Sequence, residues 1–202
     1  MPRYGLGDHV LLISGMGDED TGGGVWSYDG EELADVDRLA TMGLAHHDGR
    51  VARLLQSADD IESPGELLVY DATGVLSYAR IDGLCDVHDV LWDGAHYVVV
   101  SSLTNAIVRV TPSGEVVERW EAPSGTGDAW HLNSVVLHEG RLVGCAFGRF
   151  SEHRAWTKYL EEGPGIVFDV ESDRDIVTWS DDSRGFTLWD VYERDAYLAA
   201  HP

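Results

Sequence analysis

Ala45-His46-His47-Asp48-Gly49-Arg50-Val51, Val90-Leu91-Trp92-Asp93-Gly94-Ala95-His96-Tyr97-Val98 and Val136-Leu137-His138-Glu139-Gly140-Arg141-Leu142-Val143 are three renderings of one phrase. Each reads as apolar strand, acidic-Gly turn, apolar strand, the short-range signature of a β-hairpin. Superposing the acidic-Gly pairs brings His47, Trp92 and His138 into register at a spacing of about 45 residues. A degenerate copy, Trp189-Asp190-Val191-Tyr192-Glu193-Arg194-Asp195-Ala196-Tyr197-Leu198, follows after a longer gap.

A second unit recurs between these phrases. It runs Val25-Trp26-Ser27-Tyr28-Asp29-Gly30, then Leu67-Leu68-Val69-Tyr70-Asp71-Ala72-Thr73-Gly74, then Ile107-Val108-Arg109-Val110-Thr111-Pro112-Ser113-Gly114, then Gly165-Ile166-Val167-Phe168-Asp169-Val170. Two hairpins per repeat make four antiparallel strands in about 45 residues, the size of one β-propeller blade. No stretch holds a capped helical period, and Ser151 to Glu162 reads as an excursion between strands. The expectation is an all-β chain forming one propeller domain of four to five blades. It divides into a partial first blade over 8–40, blades over about 41–80, 84–122 and 131–180, and a partial last blade over 185–202. The tally is about seventeen strands, one more than four blades require. A compact ring with a spare strand, an arc completed by a partner, part of a larger propeller, and a gene product short of its last portion all fit that number.

Composition narrows the partners. The 202 residues are 44% hydrophobic and 25% charged, an ordinary globular balance, but the net charge is −22. Such a surface repels nucleic-acid phosphates and anionic lipid and favours cations. The first residues carry neither a basic nor an apolar leader segment, and no window resembles a membrane span, so a cytoplasmic protein is expected. Cys85 and Cys145 are too few for a disulfide framework or for a zinc site of their own. An unpaired edge at Ala196 to Ala200 would drive self-association.

Thr41-Met42-Gly43-Leu44-Ala45, Asp86-Val87-His88-Asp89-Val90 and His131-Leu132-Asn133 each open an inner strand. These phrases, in this order, resemble a family of bacterial propeller proteins known as conserved hypotheticals, whose blades begin with MGLA, D-[IV]-H and HLN. Gly165 to Val170 is similar to that family's GG-V-IDV strand. The resemblance spans most of the chain and implies a propeller fold without implying an activity. Two departures stand out: Thr187-Leu188-Trp189-Asp190 replaces a Pro-His-Ser-Pro phrase, and the family is longer.

Inner strands of a propeller start at one rim of the central channel, so candidate site residues collect there. His88 and His131 are the acid/base candidates; Asp86, Asn105, Trp130 and Trp189 are the ligand-contact candidates. Asp89, Asn133 and Asp190 are the metal-ligand candidates, for calcium, magnesium, manganese or zinc. Asp128, His46, His47 and Trp156 fall near the same positions. Each also has a plain structural reading. Asp86-x-His88-Asp89 suits a turn into a strand, and Trp130-His131-x-Asn133 suits a hydrogen-bond bracket between blades. The acidic run at Asp18 to Asp20 lacks the distal ligands of a calcium loop.

No nucleophile elbow, zincin helix, phosphate loop or Rossmann glycine pattern is present. Two function classes remain. One is a binding module that holds a small molecule or a protein at the channel rim. The other is a metal-dependent hydrolase resembling the gluconolactonase and regucalcin type of propeller, in which a channel metal polarises a carbonyl for attack by water.

Overall fold

Asp48-Gly49 and Glu139-Gly140 both turn the chain through two consecutive left-handed residues, with φ of 48° and 72° in the first pair and 51° and 77° in the second. That is the two-residue hairpin geometry whose twist matches its flanking strands, and glycine at the second position adopts it without a Cβ clash. The third copy is longer: Asp93 Oδ1 accepts hydrogen bonds from the Ala95 and His96 amides.

The computed structural model describes residues 10–17, 22–159 and 165–178. Fifteen strands among them form four antiparallel sheets. The first has three strands, β1 (Leu11–Gly15), β2 (Gly24–Tyr28) and β3 (Leu33–Asp37). The second runs β4 (Thr41–His47), β5 (Arg50–Leu55), β6 (Pro64–Asp71) and β7 (Gly74–Cys85). The third is β8 (Val87–Trp92), β9 (Tyr97–Ser101), β10 (Ala106–Val110) and β11 (Val116–Glu121). The fourth is β12 (Leu132–His138), β13 (Arg141–Ala146), β14 (Ile166–Asp169) and β15 (Arg174–Thr178). Each four-stranded sheet keeps chain order, and β4 touches β8 as β8 touches β12. The fold is a β-propeller. The Ser151 region holds only a short 3-10 turn over Ala155–Tyr159, and no described helix is long and apolar enough to cross a membrane. The proposed last blade over 185–202, with Trp189, Asp190 and the Ala196 edge, lies outside the described residues.

The third sheet shows why these sheets pack face to face. Alternate residues of a strand point to opposite faces. Tyr97, Val99, Val108 and Val110 join a core with Leu54, Leu67 and Ile81 of the second sheet. Val98, Val100 and Ile107 join another with Leu132 and Phe168 of the fourth and with Trp130 in the loop before it. An uninterrupted apolar run such as Tyr-Val-Val-Val is therefore a strand buried on both sides.

Polar clasps lock the sheets at their seams. Arg53, on β5, is 2% exposed and reaches the first sheet, where Nη1 and Nη2 meet Asp37 at 2.5 and 2.9 Å. The same guanidinium donates to Thr41 Oγ1 and to the Leu39 carbonyl. Gln56 spans the next seam: its Oε1 accepts from the Val87 amide at 2.7 Å while its Nε2 faces the carbonyls of Asp60, Ile61 and Ser63.

Arg53→Met keeps the volume but strands Asp37, so urea unfolding is expected to show a loss of about 2–3 kcal/mol. That is less than a fully buried broken pair would cost, because Asp37 is 38% exposed and can turn to water. The hydrogen bond from Arg53 holds the Asp37 carboxyl below its ordinary range. The clasp's stabilisation is thus fully present above the usual carboxylate pKa and is lost as pH falls through the lowered one. In the variant, that part of the acid sensitivity should vanish from unfolding curves taken across the acidic limb.

Candidate functional site

Asp86 and His131 occupy the same place in consecutive sheets, the last residue before an inner strand, and both are left-handed with φ of 51°. At Asp86 the chain passes from the outer strand β7 straight into β8. The turn is held by the Asp86 amide donating to Ile61 and its carbonyl accepting from Ser102. Just inside, the pairing slips between Val87 and Asp89 on β8 and between Leu132 and Ser134 on β12. The residues that slip out of register are His88 and Asn133. A bulge of this kind re-aims a side chain.

The result is a cluster drawn from two blades. His88 Nε2 lies 3.2 Å from Asp86 Oδ1, and His131 Nδ1 lies 2.9 Å from Asp128 Oδ1. A carboxylate can only accept, so His131 donates to Asp128 through its Nδ1–H. The two imidazoles meet edge to face at 5.2 Å, and His131 stacks on Trp156 at 3.9 Å. His88 and His131 keep 14% and 13% of their side chains exposed, so the cluster opens to solvent through the rings.

Asp128 is the hidden organiser. It is fully buried, and its Oδ2 accepts from Arg154 Nε at 3.3 Å and from Trp156 Nε1 at 3.2 Å. Its backbone is held as well, the amide donating to His153 Nδ1 and the carbonyl accepting from the Arg154 amide. Gly125 makes this placement possible. At φ 91° a Cβ there would lie 2.6 Å from both Ala129 Cβ and the Phe150 carbonyl oxygen, so only glycine lets the loop pass so close. Burial alone would raise the Asp86 pKa. The hydrogen bond from His88 and the charges of His88, His131 and Arg154 outweigh it and hold the carboxyl below its ordinary value. Asp86, Asp128 and His131 place ligand atoms within 4.8 Å of one another, a set that could hold a metal ion.

The other candidates are placed differently. Both Asp89 oxygens take backbone amides, Oδ1 from Val90 at 2.9 Å and Oδ2 from Val135 of the next blade at 3.0 Å. Asn105 is a bracket too: its Oδ1 accepts from the Trp130 amide and its Nδ2 faces Ser124 O. Trp130 is fully buried between Trp120, Phe168 and the guanidinium of Arg149, 4.3 Å above its ring, and presents no surface to the channel. Asn133 is buried and its amide faces the His131 carbonyl. His47 belongs to the opposite end of β4, stacked on Trp92 at 4.1 Å with Nε2 2.7 Å from Tyr97 Oη. Arg154 carried no signal in the sequence; it is recruited by the loop that follows β13.

No protein-family model and no curated protein matches the chain. Among solved structures, a nidogen/laminin complex is similar over 81% of this chain and 57% of that one, at 12% identity and a TM-score of 0.52. A protein of unknown function from Bacteroides caccae is similar over 80% of this chain and 56% of that one, at 13% identity and a TM-score of 0.49. The WD40 β-propeller domain of Doa1 is similar over 85% of this chain and 51% of that one, at 13% identity and 0.45. The chain thus spans a little over half the length of each. At these identities the likeness concerns the fold alone, the β-propeller described above.

Asp128→Asn replaces an acceptor by a donor facing the N–H groups of His131, Arg154 or Trp156. A loss of about 2–4 kcal/mol is expected in denaturant unfolding. Trp156, released from its carboxylate, should shift the native fluorescence spectrum in parallel.

Proposed function

We propose that the protein is a binding module that takes a small polar molecule at the mouth formed by Asp86, His88, Asp128 and His131. The observation that supports this is the convergence of two carboxylate–imidazole pairs from neighbouring blades beside the Trp156 indole. An aromatic wall with a few converging polar groups is the usual make-up of a small-molecule site. Two acceptor carboxylates favour ligands that donate hydrogen bonds, such as polyols and amines.

Thermal-shift and tryptophan-fluorescence titrations with a panel of polyols, amines and amino acids test the reading. At least one compound should stabilise the wild type and fail to stabilise His88→Asn/His131→Asn. No stabilising compound, or stabilisation that survives the double substitution, would refute it.

Metal-dependent hydrolysis is the second reading, and one observation favours it. Its Nδ1 held by buried Asp128, the His131 ring is oriented from behind in the way a general base needs. Aryl esters and lactones should then turn over in the presence of calcium, magnesium, manganese or zinc, with rates falling at least about a hundredfold in His131→Asn. Rates equal to buffer with every metal exclude this reading.

A further inference from the structure

Two carboxylates lie at the same blade junction, Asp128 fully buried and Asp86 5% exposed, with ligand atoms no more than 4.8 Å apart. One guanidinium, that of Arg154, reaches Asp128. Two carboxylates this close in a low dielectric are served by a cation held between them. Among the described residues, the His88 and His131 rings and the Trp156 indole N–H also meet these carboxylates.

We infer that the Asp86–Asp128–His131 cluster is a binding site for a first-row transition dication, such as manganese, cobalt or zinc. The inference rests on the same mouth being the protein's binding site. Three observations carry it together. The donor set is one imidazole with two carboxylates and no thiolate, a mixture suited to these ions. Calcium and magnesium, which seek six or more oxygens or keep much of their water, are poorly served by it. The donors come from two blades, Asp86 from the β7–β8 turn and Asp128 and His131 from the loop before β12, so an ion would tie the blades across their inner seam. The donors are also oriented from behind: His88 faces Asp86, and Arg154 and Trp156 fix Asp128, the outer-shell support that metal ligands commonly have. Bound donors sit about 2.0–2.2 Å from such an ion, so the cluster closes by a small side-chain adjustment. A neutral imidazole binds through the ring nitrogen that holds its lone pair and keeps its proton on the other. This ligand set differs from Asp89, Asn133 and Asp190, since Asp89 is engaged by two backbone amides and Asp190 is outside the described residues.

Chelator-treated full-length protein is titrated with Mn2+, Co2+ and Zn2+ by calorimetry, beside Asp86→Asn and His131→Asn. Asparagine tolerates the left-handed backbone both positions need. One equivalent of at least one ion is expected to bind the wild type, raising Tm by about 5–10 °C at about 100 times Kd. Each variant should weaken that affinity at least about tenfold, while exposed Glu31→Gln leaves it unchanged. X-ray absorption of the zinc-loaded wild type, which needs no variant, should show oxygen donors and one imidazole without sulfur. No stoichiometric binding, equal affinity in the variants, or a sulfur-containing or all-oxygen shell each overturns the inference. Small molecules that depend on His88 and His131 but bind without any metal would leave the binding-module reading standing while this inference falls.

Discussion

A sheet that is apolar on both faces has to be covered twice, and in this chain that requirement sets everything else. The Tyr97–Val100 run cannot be satisfied by one layer, because its odd residues need the second sheet and its even residues the fourth. Stacking sheets face to face around their inner strands answers both needs at once. It also creates a problem at each seam. Where one blade's outer strand passes to the next blade's inner strand, backbone N–H groups turn away from any ladder and still have to be paired. Gln56 pairs the Val87 amide, Asn105 the Trp130 amide and Asp89 the Val135 amide. Leaving such a buried donor unpaired costs on the order of 1–3 kcal/mol, which explains why side chains reaching across the seam are polar in an otherwise apolar environment.

The candidate site is a by-product of the same seams. Left-handed residues at Asp86 and His131 let the chain turn inward in a single step, and that turn leaves their side chains at the mouth instead of in a blade face. Bulges at His88 and Asn133 do the same one position further along. A cluster made of seam residues inherits rigidity from the packing on either side: the Asp86 amide is held by Ile61 of its preceding blade, and the Asp128 and His131 carbonyls by the Arg154 and Phe147 amides of their own. Pre-organisation of this kind lowers the ordering cost of holding a ligand.

The fold was legible because its determinants are local. Acidic-Gly pairs at a steady interval, with apolar runs on both sides, need no knowledge of distant residues to be read as hairpins, and Asp48-Gly49 and Glu139-Gly140 turn as such pairs should. The site was legible only in outline. His88, His131 and Asp86 were marked by their position before an inner strand, and the structure does bring them together. Asp89 and Asn105 looked alike from the sequence, yet which polar residue meets a backbone amide and which meets solvent depends on the neighbouring blade, and no local pattern encodes that. Asp128 was visible as a polar residue near His131, but its Arg154 and Trp156 partners come from a loop some 26–28 residues away in the chain. Trp130 misled for a related reason: a tryptophan beside a histidine suggests a ligand wall, whereas a two-sided core takes it as filling.

Under the proposed binding role, charge bears on what kind of molecule this mouth would take. The net charge of −22 concentrates cations near the surface, and the two junction carboxylates continue that preference inward. Arg154 meets the second oxygen of Asp128 through Nε and keeps 43% of its side chain exposed, so it offsets the junction while still facing water. Under the proposed binding role, a neutral donor or a cation meets the acceptor oxygens directly, whereas an anion has to be held by Arg154 against both carboxylates. That balance is a detail of the loop after β13 and not of the blade repeat.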